Sequence, residues 1–124
     1  MAQDPLNRLA PCPRKPNCVS TLAPPGPQHM DPIPYTGTRE EARQRLLSAL
    51  RSLERTAIVA DEADYIHAEC RSRIFRFVDD VELVLVEAAH AIHFRSAART
   101  GTSDFGVNRK RMETIRGRFL AQRS

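Results

Sequence analysis

Two adjacent carboxylates, Asp79 and Asp80, precede two sets of cations: Arg95 and Arg99 in AIHFRSAAR, then Arg109, Lys110 and Arg111 in GTSDFGVNRKRMETIR. Carboxylates beside guanidinium forks support two kinds of chemistry. They can lock elements together, because bidentate charge-assisted pairs are strong and geometrically specific. Alternatively the arginines can hold an outside phosphate, sulfate or carboxylate, with backbone N–H groups completing the pocket. The last three cations sharpen the question, since at the start of a helix they oppose the positive pole of its dipole unless something negative sits close by. Both readings draw on Asp79, Asp80, Arg95, Arg99, Asn108, Arg109 and Arg111.

His67-Ala68-Glu69 puts an imidazole and a carboxylate on one face of a strand, with Tyr65 and Arg71 in line. His67, Glu69 and His93 are therefore candidates for proton transfer, although no nucleophile is visibly paired with them. A His-x-Glu pair plus a second His is also a set that zinc or iron accepts, but an exposed polar sheet face shows the same alternation. Neither metal nor cofactor is assigned. Cys12 and Cys18 are separated by five residues, wider than a zinc knuckle, and no second cysteine pair completes a tetrahedral site. A disulfide stapling the loop fits an oxidising compartment; otherwise both are packing thiols. A Cys18 nucleophile with His29 or His67 would need an activating geometry. Cys70 shares a strand face with Ile66 and Ala68 and reads as a buried small apolar residue.

The elements that must position these residues follow from periodicity. All nine prolines lie between Pro5 and Pro34, so residues 1–36 form a proline-rich arm without helix or central strand. Val19, Leu22, Met30, Ile33 and Tyr35 make it too apolar to be wholly free, and its later half is expected to dock. Thr38-Arg39-Glu40-Glu41 is a capping box. The helix it opens carries Ala42, Leu46, Ala49, Leu50 and Leu53 on one stripe and ends near Glu54, with Leu47 off the stripe. From Thr56 to Ala98 the period changes to two, in TAIVADE, DYIHAEC, VELVLVE and AIHFRSA, the strands of an antiparallel sheet joined by short hairpin links. Arg73 to Asp80 is ambiguous: a strand continuation, a short strand, or a loop projecting Phe75 and Phe77 into the core. A last helix, with Asp104 or Ser103 near its cap, turns Met112, Ile115 and Phe119 inward with Asn108 in line; Arg109 and Arg111 flank that stripe. The expected fold is α+β: the arm, partly docked, then a single domain over residues 37–124 with a sheet of four to five strands and both helices on one face.

Length and charge bound the function. A chain of 124 residues holds one domain. No run approaches the roughly 20 apolar residues of a membrane span, and MAQDPLNRLAPCPRKP contains no apolar block of a secretory signal. As written the chain reads as soluble, either cytoplasmic or an exported form that has lost its signal. The formal charge of +4 is unevenly spread, with six Lys/Arg against Glu113 after residue 108 and eight acids against three arginines between Asp61 and Glu87. These excesses can face each other within the fold. Without stacking aromatics or a recognition motif, the basic end argues against nucleic acid.

Taken together, CPRKPNCVST, HMDPIPY, DYIHAECRSRIFRFVDDVEL and IHFRSAARTGTSDFGVNRKRMETIR strongly resemble the domain-of-unknown-function family numbered 1499, from Cys12 almost to the C-terminus. The family's pattern coincides here with Cys12, Pro13, Pro16, Asn17, Cys18, Phe77, Asp79, Asp80, Arg95, Ser96, Arg99, Gly101, Asp104, Gly106, Asn108, Arg109 and Arg111. Ala98 departs from it, standing where a serine is expected. The resemblance implies no reaction, ligand or catalytic residue, and some relatives look membrane-anchored or exported, which leaves the compartment open. The expected function is a non-enzymatic binding or assembly module for a small anionic ligand or a protein partner at the Asp/Arg/Asn residues. The alternative is an enzyme acting on a small anionic substrate there, with His67, Glu69 or His93 moving the proton.

Overall fold

The computed structural model describes residues 4–73, 77–101, 104 and 106–122. The fold is α+β, with one antiparallel sheet and two helices. A 3-10 turn, Pro5–Arg8, is followed by β1 (Cys18–Ser20), β2 (Ile33–Pro34), α1 (Arg39–Arg51), β3 (Thr56–Asp61), β4 (Tyr65–Arg71), β5 (Val78–Val86), β6 (Ala91–Ala98) and α2 (Val107–Ala121). The strand order is β1-β6-β5-β4-β3, with β2 also paired to β6, which makes six strands where the period-two segments predict four to five. The additional pair comes from the arm: Cys18 to Ser20 align with Ala97 to Arg95, and Ile33 with Ile92. Pro34 is tolerated because, among the described residues, β2 pairs only with β6.

The capping box opens α1 as its sequence dictates. Thr38 Oγ1 accepts from the Glu41 N–H at 3.0 Å and Glu41 Oε1 accepts from the Thr38 N–H at 2.9 Å. The backbone hydrogen bond from Thr38, the larger effect, holds the Glu41 carboxyl below its ordinary range. Leu46 and Leu50 are fully buried, and so is Leu47 at 2% exposure. Because α1 packs on α2 as well as on β3 and β5, its apolar arc is wider than the stripe that a sheet alone would need. On α2, Asn108, Met112, Ile115 and Phe119 are the buried residues.

The core lies between the helices and one sheet face, built from alternate residues such as Ile66 on β4, Leu83 on β5 and Phe94 on β6. On the other face a smaller cluster forms where Leu6 and Leu9 of the arm cover Tyr65 and Val84. Phe77 is 59% exposed and not a core residue, standing just before β5 begins at Val78; Phe75 lies outside the described residues. Among the described residues, no helix is long and apolar enough to cross a membrane.

Candidate functional site

β5 divides the expected charge centre. Its residues alternate between faces, so Asp79 turns to the helices with Val81 and Leu83, while Asp80 turns to the open face with Glu82. The single Asp/Arg/Asn centre expected from the sequence is therefore two clusters back to back across the sheet. Asp79, Asn108 and Arg111 belong to one, and Asp80, Arg95 and Arg99 to the other.

On the helix side, Arg111 Nη2 lies 2.8 Å from Asp79 Oδ2, with the two side chains only 15% and 13% exposed. Arg111 Nη1 also donates to Asn108 Oδ1 at 2.9 Å, and Ser96 Oγ donates to the same oxygen at 2.6 Å. Asn108 and Ser96 are both completely buried. The Asn108 amide donates in turn to Asp104 Oδ2 at 2.6 Å and to the Asn17 carbonyl at 3.3 Å. One carboxamide thus joins α2, β6 and the segment leading into β1. Asp104 also accepts from the Gly106 and Asn108 N–H groups, which puts a carboxylate at the start of α2 and offsets the cations there. Gly106 adopts a left-handed φ of 82° at the N-cap, a conformation that favours glycine. Arg109 points instead to the arm, donating to the Pro27 and His29 carbonyls at 2.6 and 2.9 Å.

On the open side, Arg99 grips Asp80 with two bonds, Nε to Oδ2 at 3.0 Å and Nη2 to Oδ1 at 2.7 Å, and reaches Glu69 Oε2 at 2.9 Å. His67 Nε2 lies 2.8 Å from Asp80 Oδ1. Burial pushes the Asp80 carboxyl up, but the hydrogen bonds from Arg99 and His67 outweigh it and hold the group below its ordinary range. Further along the same face Tyr65 donates to Glu82 Oε2 at 2.6 Å, and Arg95 Nη1 lies 3.9 Å from Glu82 Oε1. Burial, then the Glu82 carboxylate, drives the Tyr65 phenol well above its ordinary value. His93 stands apart from His67, across β5 on β6, with Nδ1 on Thr21 Oγ1 at 2.8 Å. This separation keeps His67, Glu69 and His93 from forming one ligand set, and no group of three or more His, Cys, Asp or Glu fit to hold a metal occurs among the described residues. Cys12 and Cys18 lie at disulfide distance, with Cα atoms 5.7 Å apart, and Cys70 is a buried free thiol.

A larger cavity opens beside the helix-side cluster. Where α1 ends, β3 begins and α2 passes, a groove of about 390 Å³ is lined by Ser52, Glu54, Arg55, Thr56, Cys70, Arg71, Arg111 and Arg118. Arg118 Nη1 donates to the Ser52 carbonyl and hydroxyl, both at 2.9 Å, and so serves the carbonyl end of α1. A second cavity of about 280 Å³, lined by Arg55, Thr56, Ala57, Glu69, Arg71, Ser72 and Arg73, meets the first at Arg55, Thr56 and Arg71.

A family model described as "Protein of unknown function (DUF1499)" matches residues 8–119. The chain belongs to the DUF1499 family. No curated protein and no solved structure matches it. In this DUF1499 chain the residues that sequence reasoning passes over are Arg55 and Arg118, with Arg71 noticed only as a neighbour of Glu69. One signal for Arg118 is present: it stands seven residues after Arg111, two turns along the same helix face. Nothing local announces that Arg55 and Arg71 meet, because their approach depends on the β3–β4 register.

Proposed function

We propose that this DUF1499 chain is a non-enzymatic binding module that takes an anionic group in the groove between α1, β3 and α2. The observation that carries the reading is the lining of Arg55, Arg71, Arg111 and Arg118 around one concave space, with Glu54 as its only carboxylate among the described residues. A guanidinium has five N–H donors. Arg111 uses one each on Asn108 and Asp79, which fixes its plane while leaving donors for an incoming oxygen. Arg71 is 45% exposed and touches Glu69 at only 3.5 Å. The groove has the size of a small-molecule pocket. Calorimetric titration with pyrophosphate and with citrate is expected to show saturable binding that weakens with salt and falls about tenfold in Arg71→Ala. Failure of both anions to bind overturns the reading.

The second reading, an enzyme acting on a small anionic substrate, is favoured by the contact between His67 Nε2 and Asp80 Oδ1 beside the Arg99 guanidinium. A carboxylate that orients an imidazole next to a cation is an acid–base arrangement. It lies on the open sheet face and not in the groove. Turnover of phosphate esters that disappears in folded His67→Gln would support it; binding without turnover supports the first reading.

A further inference from the structure

The two arginine-lined cavities sit on opposite sides of one free strand edge, and that relationship says more than either cavity alone. β3 ends the sheet, so among the described residues β4 is its only strand partner. The Arg71 N–H donates to the Arg55 carbonyl at 2.9 Å, and Ala57 pairs with Glu69. By antiparallel alternation these odd-numbered residues bond inward to β4, while Thr56 and Ile58 turn their backbone N–H and C=O groups outward. The register shifts between Ile58 and Ala60, a bulge that ends the regular edge and confines it to the stretch next to the arginines.

Side chains there alternate in step with the cavities. Thr56 faces the helix side, its hydroxyl 3.5 Å from Cys70 Sγ, above the groove that holds Arg111 and Arg118. Ala57 faces the open side, above the cavity that holds Arg73 and Glu69. A strand added to this edge would send successive side chains into the two cavities in turn. Among the described residues five arginines, Arg55, Arg71, Arg73, Arg111 and Arg118, line the pair of cavities against Glu54 and Glu69. Among the described residues no aromatic ring lines either cavity for a base to stack on.

We infer that the outer edge of β3 accepts a short acidic peptide in extended conformation, paired to Thr56 and Ile58, with carboxylates at successive positions reaching the arginines of the two cavities in turn. The inference rests on the anion-binding reading above and adds a ligand class to it. Main-chain pairing supplies alignment and the arginines supply the preference for acidic residues. The short regular edge keeps the interaction dependent on charge, and therefore on salt.

The test measures fluorescence anisotropy of a labelled nine-residue peptide of Glu and Thr, with Glu at both odd and even positions. The same peptide methylated at two successive central amides, pyrophosphate, and a ten-residue oligothymidylate serve as comparison probes. Saturable peptide binding is expected, at least fivefold weaker in Arg71→Ala of unchanged melting temperature and at least fivefold weaker for the methylated peptide. Equal binding of the methylated peptide overturns strand addition. Pyrophosphate binding without peptide binding overturns the peptide class and leaves the anion reading standing, whereas loss of both removes the two together. Tighter binding of the oligonucleotide than of the peptide also overturns the inference.

Discussion

Asp79 and Asp80 are neighbours in the chain and stand on opposite sides of the sheet: the first is 2.8 Å from Arg111 beneath α2, the second 2.7 Å from Arg99 on the open face. The pairs differ in solvation, and that difference decides their worth. Asp79 and Arg111 are 13% and 15% exposed, whereas Arg99 is 48% exposed and keeps Glu69 as a second partner.

Asp79→Asn is therefore expected to cost about 2–3 kcal/mol, toward the low end for removing one partner of a mostly buried pair. Asp80→Asn should cost about 1 kcal/mol or less, as exposed pairs do. Urea unfolding of the two variants at pH 7 gives the comparison. Equal losses, or the reverse order, would contradict the split.

Asn108 is the residue on which the helix-side cluster turns. Its carboxamide accepts from Ser96 and Arg111 and donates to Asp104 and to the Asn17 carbonyl. Asn108→Ala strips the buried Ser96 hydroxyl of its acceptor and takes one bond each from Arg111, Asp104 and the Asn17 carbonyl, which keep Asp79, the Gly106 N–H and the Ala98 N–H, and it is expected to cost about 2–4 kcal/mol. Ser96→Ala removes one donor only and should cost about 1 kcal/mol. In the double variant the losses should sum to less than the two singles, because Ser96 loses the same bond in both. Strict additivity across the denaturation cycle would show that the Ser96–Asn108 bond contributes nothing.

The sequence carries local facts well and distant ones poorly. The Thr38–Glu41 capping box, the Met112, Ile115 and Phe119 stripe and the inward place of Asn108 are all set by spacing within one element, and the structure reproduces them. Alternation also dictates that Asp79 and Asp80 diverge once β5 is a strand, a consequence that pairing the two as one counter-charge overlooks. β1 and β2 are three and two residues long, too short to show a period, and their strand character comes from pairing with β6. The groove is still less local, since Arg55, Arg71, Arg111 and Arg118 come from three parts of the chain and meet through register and helix packing.

Cys12 and Cys18 close a loop that leads directly into β1 and contains Asn17, whose carbonyl accepts from Asn108 and from the Ala98 N–H. For so short a loop, the chain-entropy argument predicts that the crosslink contributes about 2 kcal/mol. The Cys12→Ala/Cys18→Ala protein, compared with the wild type kept oxidised, is expected to unfold at correspondingly lower urea. Intact mass before and after reduction establishes which form is being melted. Unchanged stability on reduction of a protein shown to be oxidised would contradict the prediction.

The pH dependence of stability should come in two limbs with different owners. Burial lowers the His93 imidazole below its ordinary value, and the attraction of Asp4 does not cancel that effect. The unfolded chain therefore takes up this proton at a higher pH than the folded protein, so stability is full above roughly pH 6.5 and falls as the pH drops below it. Asp80 titrates below its ordinary range in the folded protein because Arg99 and His67 outweigh burial. Its contribution is present above the unfolded carboxylate value and is lost as the pH falls through the folded one, below about pH 4. Urea midpoints measured at pH 7.5, 5.5 and 3.5 test both limbs. His93→Gln should flatten the first interval, while Asp80→Asn should reduce the second and leave the first. A first limb that survives in His93→Gln would assign it to another group.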